Sequence, residues 1–292
     1  MKGKIILNAF LRPIESVLQA QRLQEEFKRF GVSVEIVNDG FLRSQIVGNE
    51  IVTDLFDCDF IIYLDKDKYL SKELENKGLR LFNRHDAIRV CDDKGETYIA
   101  LSNKGINIPD TIFGALCYSN EDQISREATK EIIAKLSLPI IVKESYGSMG
   151  KGVYLAKSED ELFDLMQKLK LKPHLFQRYV KAEKGTDYRV IVIGEKAVAS
   201  MKRHNDLDFR SNIARGGYGE KIDLPKEFIA LAEKCAKELG LDYCGVDILK
   251  DEQGEPVVCE VNSNAFFDGI EKATGVNVAK LYAEYVIKTI NK

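Results

Sequence analysis

Apolar residues in the first 83 positions recur in two alternating modes, short buried runs and spacing close to 3.6 residues. Lys4–Leu7 is a short apolar strand, and Ser16–Phe30 sets Val17, Leu18, Leu23, Phe27 and Phe30 near a helical period. Gly31 stops that helix, as the preference for glycine just past a helix end predicts. Val32–Val37 alternates like a strand before the turn Asn38-Asp39-Gly40. Asp59–Leu64 reads as a buried strand of the parallel-sheet kind, followed by a helix near Ser71–Lys77 and a strand over Gly78–Asn83. This rhythm predicts a small doubly wound α/β module. No G-x-G-x-x-G follows the first strand, so the module is read as packing and lining a substrate.

From Asp86 the pattern becomes α+β. Asp92–Thr97 opens a helix through Ser102, and Asn107–Asp110 is a turn before a strand around Ile112. Glu121–Ser137 reads as mostly helical, and Ser158 with Glu161 caps a helix to about Leu169. The last third is strand-rich over Phe176–Val180, Tyr188–Ile193 and Ala197–Lys202, with helices at Lys226–Leu239 and Val278–Ile290. The expected units are residues 1–85, 86–175 and 176–292.

The 292 residues, 45% hydrophobic and 30% charged, are too apolar for disorder and too charged for a membrane protein. A net charge of −3 leaves no basic field to hold nucleic acid or an anionic membrane. The longest apolar run, Ile112–Tyr118, is far short of the roughly 20 residues that span a bilayer. Asn8 and Arg12 end the apolar start too early for a signal peptide. Six cysteines lie scattered without C-x-x-C spacing and read as reduced thiols. The expectation is a soluble, cytoplasmic protein.

Between the strands Leu138–Glu144 and Val153–Ala156 lies Gly147-Ser148-Met149-Gly150-Lys151-Gly152. A P-loop leads from a strand into a helix, so that phosphates meet the helix N-terminus. Here a strand follows instead, so the loop is a hairpin tip, either a plain glycine-rich turn or a flap. As a flap it could fold over a triphosphate, its backbone N–H groups joined by Ser148 and Lys151. Lys143, at the end of the strand leading in, could neutralise phosphate charge; alone it is an ordinary strand lysine.

Gly245–Leu249 and Val257–Asn262 read as a hairpin across Asp251-Glu252-Gln253-Gly254. Strand side chains alternate, so Glu260 and Asn262 share a face. A four-residue turn pairs Lys250 with Glu255 and Asp247 with Val258, which brings Asp247 to that face. Two carboxylates and an amide oxygen suit Mg²⁺ (or Mn²⁺), while a salt-bridged hairpin facing solvent is the plainer alternative. No Cys/His spacing supports zinc. Lys202-Arg203-His204, Arg210-Ser211-Asn212 and Arg215-Gly216-Gly217 supply cations for phosphate or carboxylate, or form a charged surface loop. His85, His174 and His204 form no catalytic set, and nothing points to covalent hydrolase chemistry.

Taken in order, these segments resemble the ATP-grasp superfamily, and within it the RimK-like α-L-glutamate ligases. The matching stretches begin with Ala87-Ile88-Arg89, Asp93-Lys94, Gly105–Thr111, the Lys143 strand with its glycine loop, Gln177–Val180 and Gly185–Arg189. They continue through Phe209–Asn212, Arg215–Gly217, Gly245–Leu249, Glu260–Asn262 and Gly269–Gly275. The resemblance implies an ATP-grasp fold, α/β and α+β, behind an N-terminal doubly wound α/β domain, with ATP between two α+β subdomains. Lys94 and Lys143 would then contact phosphates beneath the flap, while Gln177, Arg178, Tyr179 and Val180 line the adenine hinge and Asp187 binds ribose. Lys202, Arg210, Ser211 and Asn212 would contact ATP or substrate, and Asp247, Glu260 and Asn262 would hold the metal. Arg215 and Arg189 would stabilise an acyl phosphate and the tetrahedral oxyanion that follows.

The implied reaction is ADP-forming ligation of a small-molecule or peptide carboxylate with an amino acid, L-glutamate being the family expectation. A homo-oligomer is compatible with it. Two departures mark this chain: Arg178 stands where many relatives carry an acid, and Ser263-Asn264-Ala265 replaces the usual Ser-Pro-Gly beside the acceptor side. The competing readings are a nucleotide-sensing module without turnover and a related ligase of different substrate class.

Overall fold

The computed structural model describes residues 1–10, 14–40, 43–181, 184–211 and 216–292. The chain opens with β1 (Lys2–Leu7), α1 (Ile14–Arg29) and β2 (Ser33–Asn38). A hairpin of β3 (Ser44–Val47) and β4 (Glu50–Thr53) follows, then β5 (Phe60–Tyr63), α2 (Lys68–Asn76) and β6 (Leu81–Phe82). Four of these strands form a parallel sheet in the order β2-β1-β5-β6. Alternation along β1 explains the double winding. Ile5 and Leu7 join Ala20, Leu23 and Phe27 of α1, while Ile6 joins Leu70 and Leu74 of α2 on the other face. The β3–β4 hairpin was not expected from the sequence.

At the carboxyl ends of these strands Asp39, 8% exposed, accepts the Ala9 N–H at 2.6 Å, and Asn8 donates to Asp65. Burial, and then the neighbouring Asp65, push the Asp39 carboxyl up to about 7; Asp67 adds to the effect. Between roughly pH 4 and 7 the folded chain therefore holds a proton that the unfolded chain has lost, so stability falls as pH rises through that window. Asp39→Asn keeps the acceptor for Ala9 and imitates the protonated acid. The urea midpoint of the wild type should drop from pH 5 to pH 8, and that of the variant should drop less. Parallel pH profiles would remove Asp39 as the cause.

Two helices, α3 (His85–Asp92) and α4 (Lys94–Leu101), lead to β7 (Thr111–Phe113), α5 (Arg126–Leu136), β8 (Ile140–Glu144), β9 (Val153–Ala156), α6 (Glu159–Leu169) and β10 (His174–Arg178). The four strands form an antiparallel sheet in the order β7-β10-β8-β9. Helix α3 was not anticipated, and the helix expected from Glu121 begins only at Arg126. Ser125 caps it by accepting the Ala128 N–H, while Asp122 folds the residues before it into turns.

The last part holds β11 (Thr186–Ile193), β12 (Lys196–His204), β13 (Tyr218–Lys221), α7 (Lys226–Glu238), β14 (Tyr243–Lys250), β15 (Pro256–Asn262), α8 (Asp268–Thr274) and α9 (Val278–Ile290). Its antiparallel sheet runs β13-β12-β11-β14-β15. The packing crosses the expected divisions. Strand β10 straddles 175/176 and belongs to the central sheet; Ala87, Cys91 and Leu101 of α3 and α4 share a core with Phe228 and Cys235 of α7. Likewise Tyr282 and Val286 of α9 pack with Ile5 and Phe27 of the first unit. Among the described residues no helix is long and apolar enough to cross a membrane.

The β14–β15 register differs from the expected one. Lys250 pairs with Pro256 and Ile248 with Val258, after which a bulge sets Asp247 opposite Glu260. The cause is a five-residue turn: Asp251 Oδ1 accepts the N–H groups of Gln253 and Glu255 at 2.9 and 2.8 Å. One residue of shift in the turn and one at Cys259 in the bulge add to two. The faces are therefore preserved, and the carboxylates of Asp247 and Glu260 stand directly opposite each other.

Candidate active site

Strand alternation gives the five-stranded sheet one apolar face and a second face that is apolar at Ile191, Ile193, Met201 and Tyr243 but charged toward the start of β11. Tyr188, Val190, Val246 and Ile248 pack with Phe228 and Leu231 of α7. On the other face the register pairs Asp187 with Arg203, Arg189 with Asp247, and Asp247 with Glu260. Arg189 donates Nε and Nη2 to the two oxygens of Asp247, each at 2.7 Å. Arg203 donates Nε to Asp187 Oδ1 at 2.6 Å, pairs through Nη2 with Asp187 Oδ2, and reaches Asp247 Oδ2 at 2.9 Å. Burial alone would raise the Asp247 carboxyl, but Arg189 and then Arg203 hold it below the ordinary carboxylate range.

Across from this row stand two buried lysines. Lys94 opens α4, whose cap Asp93 accepts the N–H groups of Gly95 and Glu96. Its ammonium donates to Gly147 O at 2.7 Å and lies 3.4 Å from Glu260 Oε1. The glycine loop and the acidic strand thus meet across a single cation. Lys143, on β8, donates to Tyr98 Oη at 3.1 Å and to Cys259 O at 3.3 Å. Burial opposes its charge, yet Cys259, Tyr98 and Glu260 outweigh that and hold the ammonium above its ordinary range. Burial pushes the Cys259 thiol up to about 11, so it is no nucleophile near neutral pH.

The loop between β8 and β9 is a hairpin tip. Gly147, Gly150 and Gly152 take positive φ, and a Cβ at Gly152 would sit 3.0 Å from Glu144. Arg210 holds the tip from the other side, donating Nη1 to Gly150 O at 2.9 Å and Val153 O at 3.2 Å while Asp208 grips its fork. Beneath lies a cleft lined by residues of both antiparallel sheets and of the glycine loop. Its lining combines apolar side chains (Pro109, Ile141, Val153, Leu249) with the charged Lys94, Lys143, Asp247 and Glu260. Among the lining side chains the cations Lys94, Lys143, Lys151, Arg178, Lys184 and Arg210 outnumber the carboxylates Asp187, Asp247 and Glu260, so the cleft favours a polyanion.

Asp247, Glu260 and Asn262 place two carboxylates and an amide in one patch, Asn262 Nδ2 lying 3.4 Å from Asp247 Oδ2. Among the described residues no three His, Cys, Asp or Glu side chains gather around a metal site. Two carboxylates plus an amide fit a magnesium-type cation, which takes few protein oxygens and keeps positions for water and phosphate.

The sequence profile of the RimK-like ATP-grasp domain matches residues 91–286, two-thirds of the chain. The chain belongs to the RimK-like ATP-grasp family. It is 34% identical over 262 residues to beta-citrylglutamate synthase B of Danio rerio, covering 87% of this chain and 63% of that protein. A Legionella pneumophila protein named "Probable alpha-L-glutamate ligase" is 35% identical over 222 residues, 74% of this chain and 70% of that one. The chain thus spans less than two-thirds of the length of the Danio synthase. Among solved structures, the ATP-grasp ligase PsnB complexed with minimal precursor, Mg and ADP superposes with TM-score 0.72 at 18% identity, covering 99% and 97% of the two chains. That likeness establishes the ATP-grasp fold here.

The RimK-like cleft gathers most of the residues expected from sequence: Lys94, Lys143, Lys151, Gln177, Arg178, Tyr179, Val180, Asp187, Arg210, Ser211, Asp247 and Glu260 line it. Others depart from the expected placing or role. Arg189 and Asn262 are absent from the lining, and each is hydrogen-bonded to Asp247. Ser148 lies in the loop outside the lining, its carbonyl accepting from the Lys151 N–H. Asp187, expected at a ribose, has both oxygens held by Arg203. Arg178 is tied to Asp110 and to the last carbonyls of α5, at Lys135 and Leu136. Asn212 and Arg215 lie outside the described residues.

Lys202 is corrected. A two-residue turn at Gly194-Glu195 would pair it with Asp187, but a bulge at Val198 shifts the strand by one. Lys202 then pairs with Tyr188 on the apolar face, and Arg203 takes the cleft side. Sequence reading also missed Tyr98 and the carbonyl of Cys259; a tyrosine four residues after Lys94 was the available signal.

Proposed function

We propose that this protein is an ATP-dependent, ADP-forming carboxylate–amine ligase, joining an amino acid such as L-glutamate to a carboxylate acceptor. The observation that carries the reading is the Lys94 ammonium, bonded to the glycine loop and facing Glu260 across the cleft. A triphosphate seated there meets Lys94 and Lys143, with the apolar lining of Pro109, Ile141 and Leu249 and the Tyr179–Val180 backbone left for the base. Asp247, Glu260 and Asn262 would hold Mg²⁺, which when bound supplies charge neutralisation at the phosphates. The acceptor carboxylate attacks the γ-phosphorus and expels ADP, and the amine then displaces phosphate from the acyl phosphate to give the amide. Phosphoryl transfer needs positioning and charge more than a dedicated base, and buried lysines and arginines supply both. The flap, held down by Arg210, excludes water that would hydrolyse the intermediate. Free cysteines throughout the chain support a reducing, cytoplasmic setting.

The test is ADP release across a panel of amino acids crossed with small and peptidyl carboxylates. Release well above background only when acid and amine are both present is the expected result. Saturable ATP binding without turnover for any pair would favour a nucleotide-sensing module instead.

A further inference from the structure

The phosphate end of the cleft is assembled from three separate elements, and one side chain touches two of them. Tyr98 is buried, 3% exposed, on α4. Its oxygen accepts from Lys143 Nζ at 3.1 Å on β8, and its proton goes to the Cys259 carbonyl on β15. That carbonyl is available because the bulge takes Cys259 out of the β14–β15 register. Gln177 Oε1, at 3.4 Å, backs the hydroxyl and is itself steadied by Nε2 donating to Thr111 Oγ1 at 2.9 Å. Lys94 and Tyr98 are four residues apart and so share one helix face. A single face of α4 therefore governs both lysines, Lys94 directly and Lys143 through the phenol.

We propose that Tyr98 is a positioning residue whose hydroxyl fixes the Lys143 ammonium at the phosphate end of the cleft. A free lysine side chain samples many rotamers, and holding it beforehand spares that ordering when the anion arrives. Tyr98 would not touch the nucleotide. The role rests on the nucleotide site proposed above.

The experiment is a double-mutant cycle read by ADP binding in the presence of Mg²⁺, using calorimetry on the full chain. Tyr98→Phe keeps the ring in its buried place and removes only the hydroxyl. It should weaken ADP about tenfold, the scale of a hydrogen bond to a charged group. In a Lys143→Met background the same change should alter binding less than about twofold, because the side chain it acts through is gone. An equal loss in both backgrounds would make Tyr98 a general packing residue and overturn the proposal, as would unchanged binding by Tyr98→Phe. If the wild type bound no ADP, the nucleotide site itself would fall and this role with it. The ADP-induced rise in unfolding midpoint gives the same comparison where a variant is too weakly folded for calorimetry.

Discussion

Asp247→Asn should cut ADP release by roughly a hundred- to a thousandfold, the scale seen when a preorganised electrostatic group is lost. Asp247 is the crossing point of the site: it stands opposite Glu260, accepts both arms of Arg189, and shares an oxygen with Arg203. The amide keeps the shape but removes a negative charge from an end that is already net positive. It also removes an oxygen donor from the patch proposed for Mg²⁺. Steady-state ADP release at matched Mg²⁺ decides the matter. Wild-type turnover by the variant would sink the metal assignment, and loss of the folded state would be visible separately in its unfolding curve.

Much of this arrangement was legible in alternation alone. Gly245–Leu249 and Val257–Asn262 alternate strongly enough to identify two strands and to put Glu260 and Asn262 on one face. What alternation cannot show is where a ladder slips. Two bulges, at Cys259 and at Val198, help decide which charged side chain meets the cleft. The first leaves the reading intact because turn and bulge shift by one residue each. The second exchanges Lys202 for Arg203, since nothing in the run Lys202-Arg203-His204 distinguishes the two faces until the partner strand is known. The elements missed outright, α3, α8, β13 and the β3–β4 hairpin, are short, and periodicity over so few residues carries little signal. The pairing of Asp187 with Arg203 depends on the β11–β12 register, which the family resemblance that implied a ribose role for Asp187 does not supply.

Arg203→Met should lower the unfolding free energy by about 3–5 kcal/mol at pH 8, the usual cost of removing one partner from a buried ion pair, and by less at pH 5. Arg203 is 3% exposed and bridges Asp187 and Asp247, themselves 6% and 3% exposed. Without it Asp187 loses its guanidinium, while Asp247 keeps Arg189. The sign with pH follows from linkage. In the wild type the Asp247 carboxyl is held low, so its contribution is present above the ordinary carboxylate range and is lost as pH falls through the folded value. In the variant Asp247 loses Arg203, one of the two cations that offset its burial, so its folded value rises and the gap narrows as pH falls through that higher value. The wild type's own loss lies below about pH 4, so a gap that widens from pH 5 to pH 8 comes from the variant. Urea unfolding of both proteins at pH 5 and pH 8 measures it, and a gap that stays constant would mean that Arg203 acts by packing rather than by charge. Arg203→Lys separates charge from geometry. An ammonium restores the positive charge but cannot span two carboxylates as a planar fork does, so it should recover part of the stability and leave the Asp187–Asp247 spacing unsecured. A full recovery would show that the bridge between the two carboxylates is not what the fork contributes.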